Sequence, residues 1–182
     1  MTSTKSIIVS NRLVNPDDEA DITSKNDFTA ERLKVYGKLD YIFVPFWSYY
    51  IPAEIYKKWN VVIFHMTDLP YGRGGSPLQN LIVRGFTKTK ISALKCTKGI
   101  DAGPLYCQVP LSLEGTADNI YDRADDIIRN AMIPFIKIQQ PEPSPQKGKV
   151  VYFDKWVCTK KDILRCINSD YEWKDTDNIS TS

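Results

Sequence analysis

The sequence predicts an α/β domain with a mostly parallel sheet flanked by helices. Two observations predict it. Short apolar runs bounded by turn formers recur through the first 65 residues with helical stretches between them, and a long amphipathic stripe lies near residue 120. A chain of 182 residues accommodates one hydrophobic core and is short for two. Its 42% apolar and 25% charged content is that of an ordinary globular protein, which argues against wholesale disorder and against a membrane protein.

Taken in order, residues 6–10 (SIIVS) suit a buried strand, and 11–21 form a polar, Asp-rich loop. Residues 23–36 start with capping types and meet Gly37, where a helix stops. Residues 41–45 (YIFVP) read as a buried strand, 52–58 as a short helix with Pro at its first turn, and 60–64 (NVVIF) as the next strand, ending at His65. Apolar runs joined by a helix imply a parallel βαβ unit.

Ser76 and Pro77 open a further helix that carries Leu78, Leu81 and Ile82 and stops at Gly85. Residues 90–96 and 105–111 are strand candidates flanking a loop that holds Asp101. Thr116 can cap a helix in which Ile120, Ala124, Ile127, Ile128, Ala131 and Phe135 form one apolar stripe, with Pro134 expected to kink or end it. Residues 139–148 (QQPEPSPQKG) read as a Pro-rich connector, 150–153 as a strand, 162–167 as a short helix and 176–182 as a disordered tail. The expected division is a catalytic domain over 1–140 followed by a connector and C-terminal extension over 141–182.

Charge and cysteine usage exclude several functions. The formal net charge of +2 is the difference between 24 basic and 22 acidic residues, and Lys88, Lys90, Lys95 and Lys98 read as a solvated strand face, so no nucleic-acid track is expected. Cys96, Cys107, Cys158 and Cys166 form no CxxC pair, and a single histidine cannot build a multi-histidine site, so no metal is expected. The absence of a signal peptide or an apolar run of membrane length makes the cytoplasm the expected compartment. Tyr152, Phe153 and Trp156 suit a homodimer contact.

Ligands of open α/β sheets bind beyond the carboxyl ends of strands, and the sole histidine, His65, sits where VVIF ends. Imidazole is the side chain best matched to proton transfer near neutral pH. The following segment, MTDLPYGRGGSP, carries three glycines beside a helix N-terminus, so Arg73, Gly74, Gly75 and Ser76 can wrap a substrate. The loop KGIDAGP places Asp101 among turn formers. If the strands bearing His65 and Asp101 are neighbours, carboxylate and imidazole meet at one sheet end.

Together, HMTDLPYGRGGSPLQNLIVRG and GIDAGPLY, with His65 and Asp101 36 residues apart, resemble the signature of the formyltransferases that use N10-formyltetrahydrofolate. The resemblance runs from about Asp40 to Phe153 and includes QKGKVVYF, which is similar to the segment that follows the catalytic domain in several members. It implies an abbreviated Rossmann-like formyltransferase fold. It also implies that His65 polarises the formyl group and stabilises the oxyanion, that Asp101 assists proton transfer from the attacking amine, that the backbone of Trp47, Ser48, Tyr49 and Tyr50 binds the pterin, and that Lys98, Gly99 and Ile100 form the pocket's other wall. The family usually has Asn two residues before the histidine, where this chain has Ile63; Asn80 is the candidate substitute donor.

The compact form most resembles the family members that act on amino sugars or nonulosonic acids for surface glycans, which implies a primary amine of such a sugar as the acceptor. Glycinamide ribonucleotide formylation and a catalytically impaired folate-binding protein are the alternatives. The first of these would call for a phosphate-binding Gly loop near Asn11, which the sequence does not offer.

Overall fold

A computed structural model describes residues 4–13 and 19–155. The expected helix at 162–167, the tail, Trp156, Cys158 and Cys166 lie outside the described residues. A five-stranded sheet, in the order β1-β2-β3-β5-β6, organises the chain. Its strands are β1 (Ser6–Ile8), β2 (Tyr41–Val44), β3 (Val61–His65), β5 (Lys88–Lys95) and β6 (Leu105–Ser112). The short strands β4 (Arg73–Gly74) and β7 (Tyr152–Phe153) pair with each other in parallel.

The first three strands are parallel and are joined through α1 (Ala30–Val35) and α2 (Ala53–Tyr56), as the two apolar runs and the helix between them predict. Each neighbouring pair within β2 points to opposite faces. Tyr41 and Phe43 join one core cluster and Ile42 and Val44 the other, so all four are buried, which is why the run is continuously apolar instead of alternating. Leu33 and Ile55 cover the second face. Leu81, Ile120, Ala124, Ile128, Met132 and Ile136 cover the first.

The far side of the sheet departs from a parallel plan. β5 runs antiparallel to β3, and β5 and β6 form a hairpin. The helix expected over 23–36 is confined to α1, capped by Thr29 Oγ1, which accepts from Arg32 N, because residues 25–27 form a turn ahead of it.

Pro134 does not end its helix. α4 (Ala117–Ile127), closed at its start by a Thr116–Asn119 capping box, widens into a π-helical turn over Ile128–Met132, where Ile133 N donates to Ile128 O. The chain then continues as α5 (Ile133–Gln139), with Pro134 in its first turn, where its missing N–H costs least.

The stretch expected as a connector runs back along the domain. Ser144 exchanges two backbone hydrogen bonds with Leu105, Val151 O accepts from Gly72 N and Arg73 N, and Phe153 is buried in the first core cluster. Phe153 therefore packs within its own chain; of the aromatic trio read as a dimer contact, only Tyr152 is exposed among the described residues. No helix among the described residues is long and apolar enough to cross a membrane.

Candidate active site

The site starts from the end of β3. By strand alternation His65 shares a face with Val61 and Ile63. α3 (Pro77–Val83) follows the glycine loop that begins after it. The register pairs His65 with Ser92 but Val62 with Lys95, so β5 ends beside the start of β3 and the Asp101 loop leaves at the wrong end of the strand to meet His65 directly. To reach His65 it must arch back over about three residues of strand, roughly 10 Å. Gly103 permits the arch: a Cβ there would collide with the carbonyl oxygen of Lys95. The juxtaposition expected at one sheet end is thus achieved by folding the hairpin loop back along β3.

The result is a buried pair. His65 Nδ1 lies 3.5 Å from Asp101 Oδ2, with only 9% and 15% of the two side chains exposed. Nε2 is 2.7 Å from the carbonyl oxygen of Gly72, which can only accept, so Nε2 carries a proton and donates. The backbone N–H of Gly74 donates to Asp101 Oδ2 at 2.9 Å. Asp101 itself has a φ of 46°, the left-handed region that Asp visits more readily than most residues.

A buried polar layer that sequence reasoning missed holds the loop after His65. Thr67 Oγ1 donates to the same Gly72 oxygen at 3.2 Å. Ser92 Oγ donates to Thr67 O at 2.7 Å while accepting from Leu69 N and Gln108 Nε2. Thr67 and Ser92 are fully buried, so each hydroxyl needs such partners. Their only sequence signal was a hydroxyl residue beside or within an apolar strand.

The glycine loop is anchored and not an open cradle. A Cβ on Gly72 would come within 2.6 Å of the Phe153 ring, and one on Gly74 would strike the Phe153 carbonyl, so these glycines admit β7 against β4. Arg73 is drawn to Gln146 and Tyr152, and Ser76 caps α3 in a left-handed conformation. Asn80 is corrected as an oxyanion donor. Its Nδ2 donates to Gly75 O, Ser76 O and Asp154 O, and its Oδ1 accepts from Arg84, so its hydrogen-bonding capacity is already used to stitch the loop to the C-terminal strap. Ile63 is half-buried against the second core cluster and supplies no donor.

Lys98, Gly99 and Ile100 share the turn that carries Asp101, with Ala102 N donating to Gly99 O. Trp47, Ser48, Tyr49 and Tyr50 follow β2. Ser48 N is held by Asn11 Oδ1, and Trp47 packs edge-on to Phe28 and Tyr49, with its Nε1 buried and without a hydrogen-bond partner among the described residues. Trp47 and Tyr50 line a cleft of about 280 Å³ with Phe28 and Pro52; neither His65 nor Asp101 borders it. Lys98, Gly99 and Ile100 thus precede the residue that pairs with His65, whereas Trp47 and Tyr50 line a cleft apart from that pair. Burial, and secondarily the charge of Asp101, pushes the Cys96 thiol up to about 11, which favours the protonated thiol over the nucleophilic thiolate near neutral pH.

No protein-family model matches the chain. A methionyl-tRNA formyltransferase of Thermosipho melanesiensis is 32% identical over 108 residues, 58% of this chain and 35% of that protein. The chain spans less than half the length of the curated relatives it matches. The solved formyltransferase PseJ of Anoxybacillus kamchatkensis shares the fold, with a TM-score of 0.60 at 16% identity, 91% of this chain and 92% of that one being covered. The solved methionyl-tRNA formyltransferase from Clostridium thermocellum is 39% identical and superposes with a TM-score of 0.76, covering 90% of this chain and 80% of its own. A likeness of that extent, together with a His65–Asp101 pair assembled beside a glycine loop, means that the chain belongs to the formyltransferase family.

Proposed function

We propose that the chain transfers a formyl group from N10-formyltetrahydrofolate to a primary amine, with His65 and Asp101 at the reacting carbon. The observation that carries this is the buried pair itself: a carboxylate 3.5 Å from an imidazole at the carboxyl end of a parallel strand. In this reading the amine attacks the formyl carbon, Asp101 takes the proton the amine releases, and the bond to N10 breaks as that nitrogen is protonated. His65 Nε2–H, now donating to Gly72 O, turns to the formyl oxygen as negative charge develops there. Lys98, Gly99 and Ile100 would wall the folate pocket, with the backbone at Trp47–Tyr50 as the expected contact for the pterin. Arg73, Gly74, Gly75 and Ser76, which follow Gly72 in the loop beside the pair, are the expected contacts for the acceptor.

The acceptor proposed is an amino sugar, including nonulosonic acids of surface glycans. PseJ was solved with tetrahydrofolate and a UDP-linked formamido sugar, and it matches the present chain over nearly the whole of both. The relatives of higher identity carry the name of transfer-RNA enzymes, so methionyl-tRNA is the competing acceptor. Glycinamide ribonucleotide is disfavoured because β1 leads into Ser10, Asn11 and Arg12 with no glycine to approach a phosphate. The test is incubation with N10-formyltetrahydrofolate and each of the three amines, read by mass spectrometry. A gain of one formyl group on the sugar, reduced at least about 100-fold in His65→Ala and Asp101→Asn, is expected. Formylation of the transfer RNA alone would replace the acceptor. Folate binding with no product on any amine would favour a non-catalytic folate-binding protein, the reading that Ile63 in place of an oxyanion donor supports.

A further inference from the structure

We propose that Gln146, from the Pro-rich stretch after α5, is the positioning residue that holds Asp101 in register with His65. Its carboxamide is used in full. Nε2 donates to Asp101 O at 2.7 Å and to Gly103 O at 2.8 Å, while Oε1 accepts from Arg73 Nη2 at 2.7 Å and Arg73 Nε at 3.1 Å. Arg73 lies between Gly72, whose carbonyl accepts the hydrogen bond from His65 Nε2, and Gly74, whose N–H donates to the Asp101 carboxylate. The contacts close a circuit that runs from the Asp101 side chain to Gly74, along the chain to Arg73, across to Gln146 and back to the Asp101 main chain.

The circuit has a specific purpose in the geometry. The Asp101 loop arches away from the strand it leaves, with its central residue in the left-handed region, so the hairpin alone does not fix where the carboxylate points. Gln146 bonds to the carbonyl of that strained residue and to the one two positions on, which sets the plane of the loop against the glycine segment. Both loops belong to the β3–β6 half of the domain, and the residue that couples them lies more than 40 positions beyond Asp101. A displacement of the order of 1 Å at a reacting group lowers turnover about 100-fold, so loss of Gln146 is expected to reduce kcat by about 10- to 100-fold with donor binding little changed.

This role rests on the formyl-transfer reading for its catalytic consequence but not for its geometric content, which one spectrum can read. The chain has a single histidine, so its imidazole 15N–1H correlations report His65 without assignment. They are to be recorded at fixed pH for the wild type, Asp101→Asn, Gln146→Met, Gln146→Glu and Tyr152→Phe. Gln146→Glu keeps an acceptor for Arg73 but replaces the donor with a charged carboxylate oxygen that the Asp101 and Gly103 carbonyls repel, so it breaks the same two bonds if the Met variant fails to fold. Displacement of the His65 signals by Gln146→Met or Gln146→Glu in the same sense as by Asp101→Asn, with Tyr152→Phe unchanged, is the expected result. His65 signals in a folded Gln146 variant that superimpose on those of the wild type would overturn it. Because the spectrum needs no acceptor, it stands even if formyl transfer is not found.

Discussion

Gly74 and Gly85 both have a positive φ, 104° and 77°, but they differ in what surrounds them. Alanine at Gly85 would meet nothing within 4 Å, so it incurs only the left-handed penalty. That is about 1–2 kcal/mol, partly offset by about 0.4–1 kcal/mol from a stiffer unfolded chain. Alanine at Gly74 adds a collision with the Phe153 backbone carbonyl, which cannot rotate away. Relief requires β7 to leave β4, breaking the bonds from Gly72 N and Arg73 N to Val151 O and from Gly75 N to Phe153 O, at 3.0, 2.9 and 3.0 Å. At about 1 kcal/mol for each of these bonds the excess over Gly85→Ala is roughly 3 kcal/mol. Urea unfolding of the two variants measures it, and hydrogen exchange at Gly72, Arg73 and Gly75 shows whether the strap has detached. Midpoints and slopes that give the two variants the same stability to within about 0.5 kcal/mol would refute the claim that β7 anchors the glycine loop.

Asn80→Ala removes the donor to the carbonyls of Gly75 and Asp154, while Ser76 O keeps the backbone N–H of residue 80, and should destabilise the fold by about 1–3 kcal/mol. Because its amide is already engaged by the loop, Asp154 and Arg84, the folded fraction should bind 5-formyltetrahydrofolate with unchanged affinity by calorimetry. Burial pushes the Cys96 and Cys107 thiols from 9.0 up to about 11 and the Tyr106 phenol from 10.0 up to about 12. All three stay protonated in the fold after the unfolded chain has released the proton, so the unfolded state binds fewer protons and stability falls as pH rises. The loss should begin near pH 9 and run to about 12, and in Cys107→Ala the part between 9 and 11 should shrink in thermal melts across that range.

Much of the frame was legible because it depends on local pattern. The β2 and β3 runs are apolar on both faces, the Thr116 cap precedes a clear stripe, and His65 sits at a strand end; each signal spans a few residues. What could not be read was set by distance or register. The antiparallel turn from β3 to β5 leaves no mark on either strand's composition, yet it decides that the Asp101 loop must arch back. Gln146 occupies a stretch whose prolines read as a spacer, and its partners Asp101 and Gly103 are 45 and 43 positions away. The glycines of RGG suggested room for a ligand, but the neighbours against them are Phe153 of β7 and Lys155 just beyond it. Asn80 looked like a spare amide because three of its four partners are carbonyls, which no sequence pattern encodes.

If the His65–Asp101 pair faces the formyl group of a folate, titrating the His65 imidazole resonances with 5-formyltetrahydrofolate will show it. A saturable displacement of the ring signals, following the same curve as folate uptake and altered in Asp101→Asn, is the predicted result. Saturation with folate that leaves the ring signals where they were, or no binding at any concentration, would contradict it.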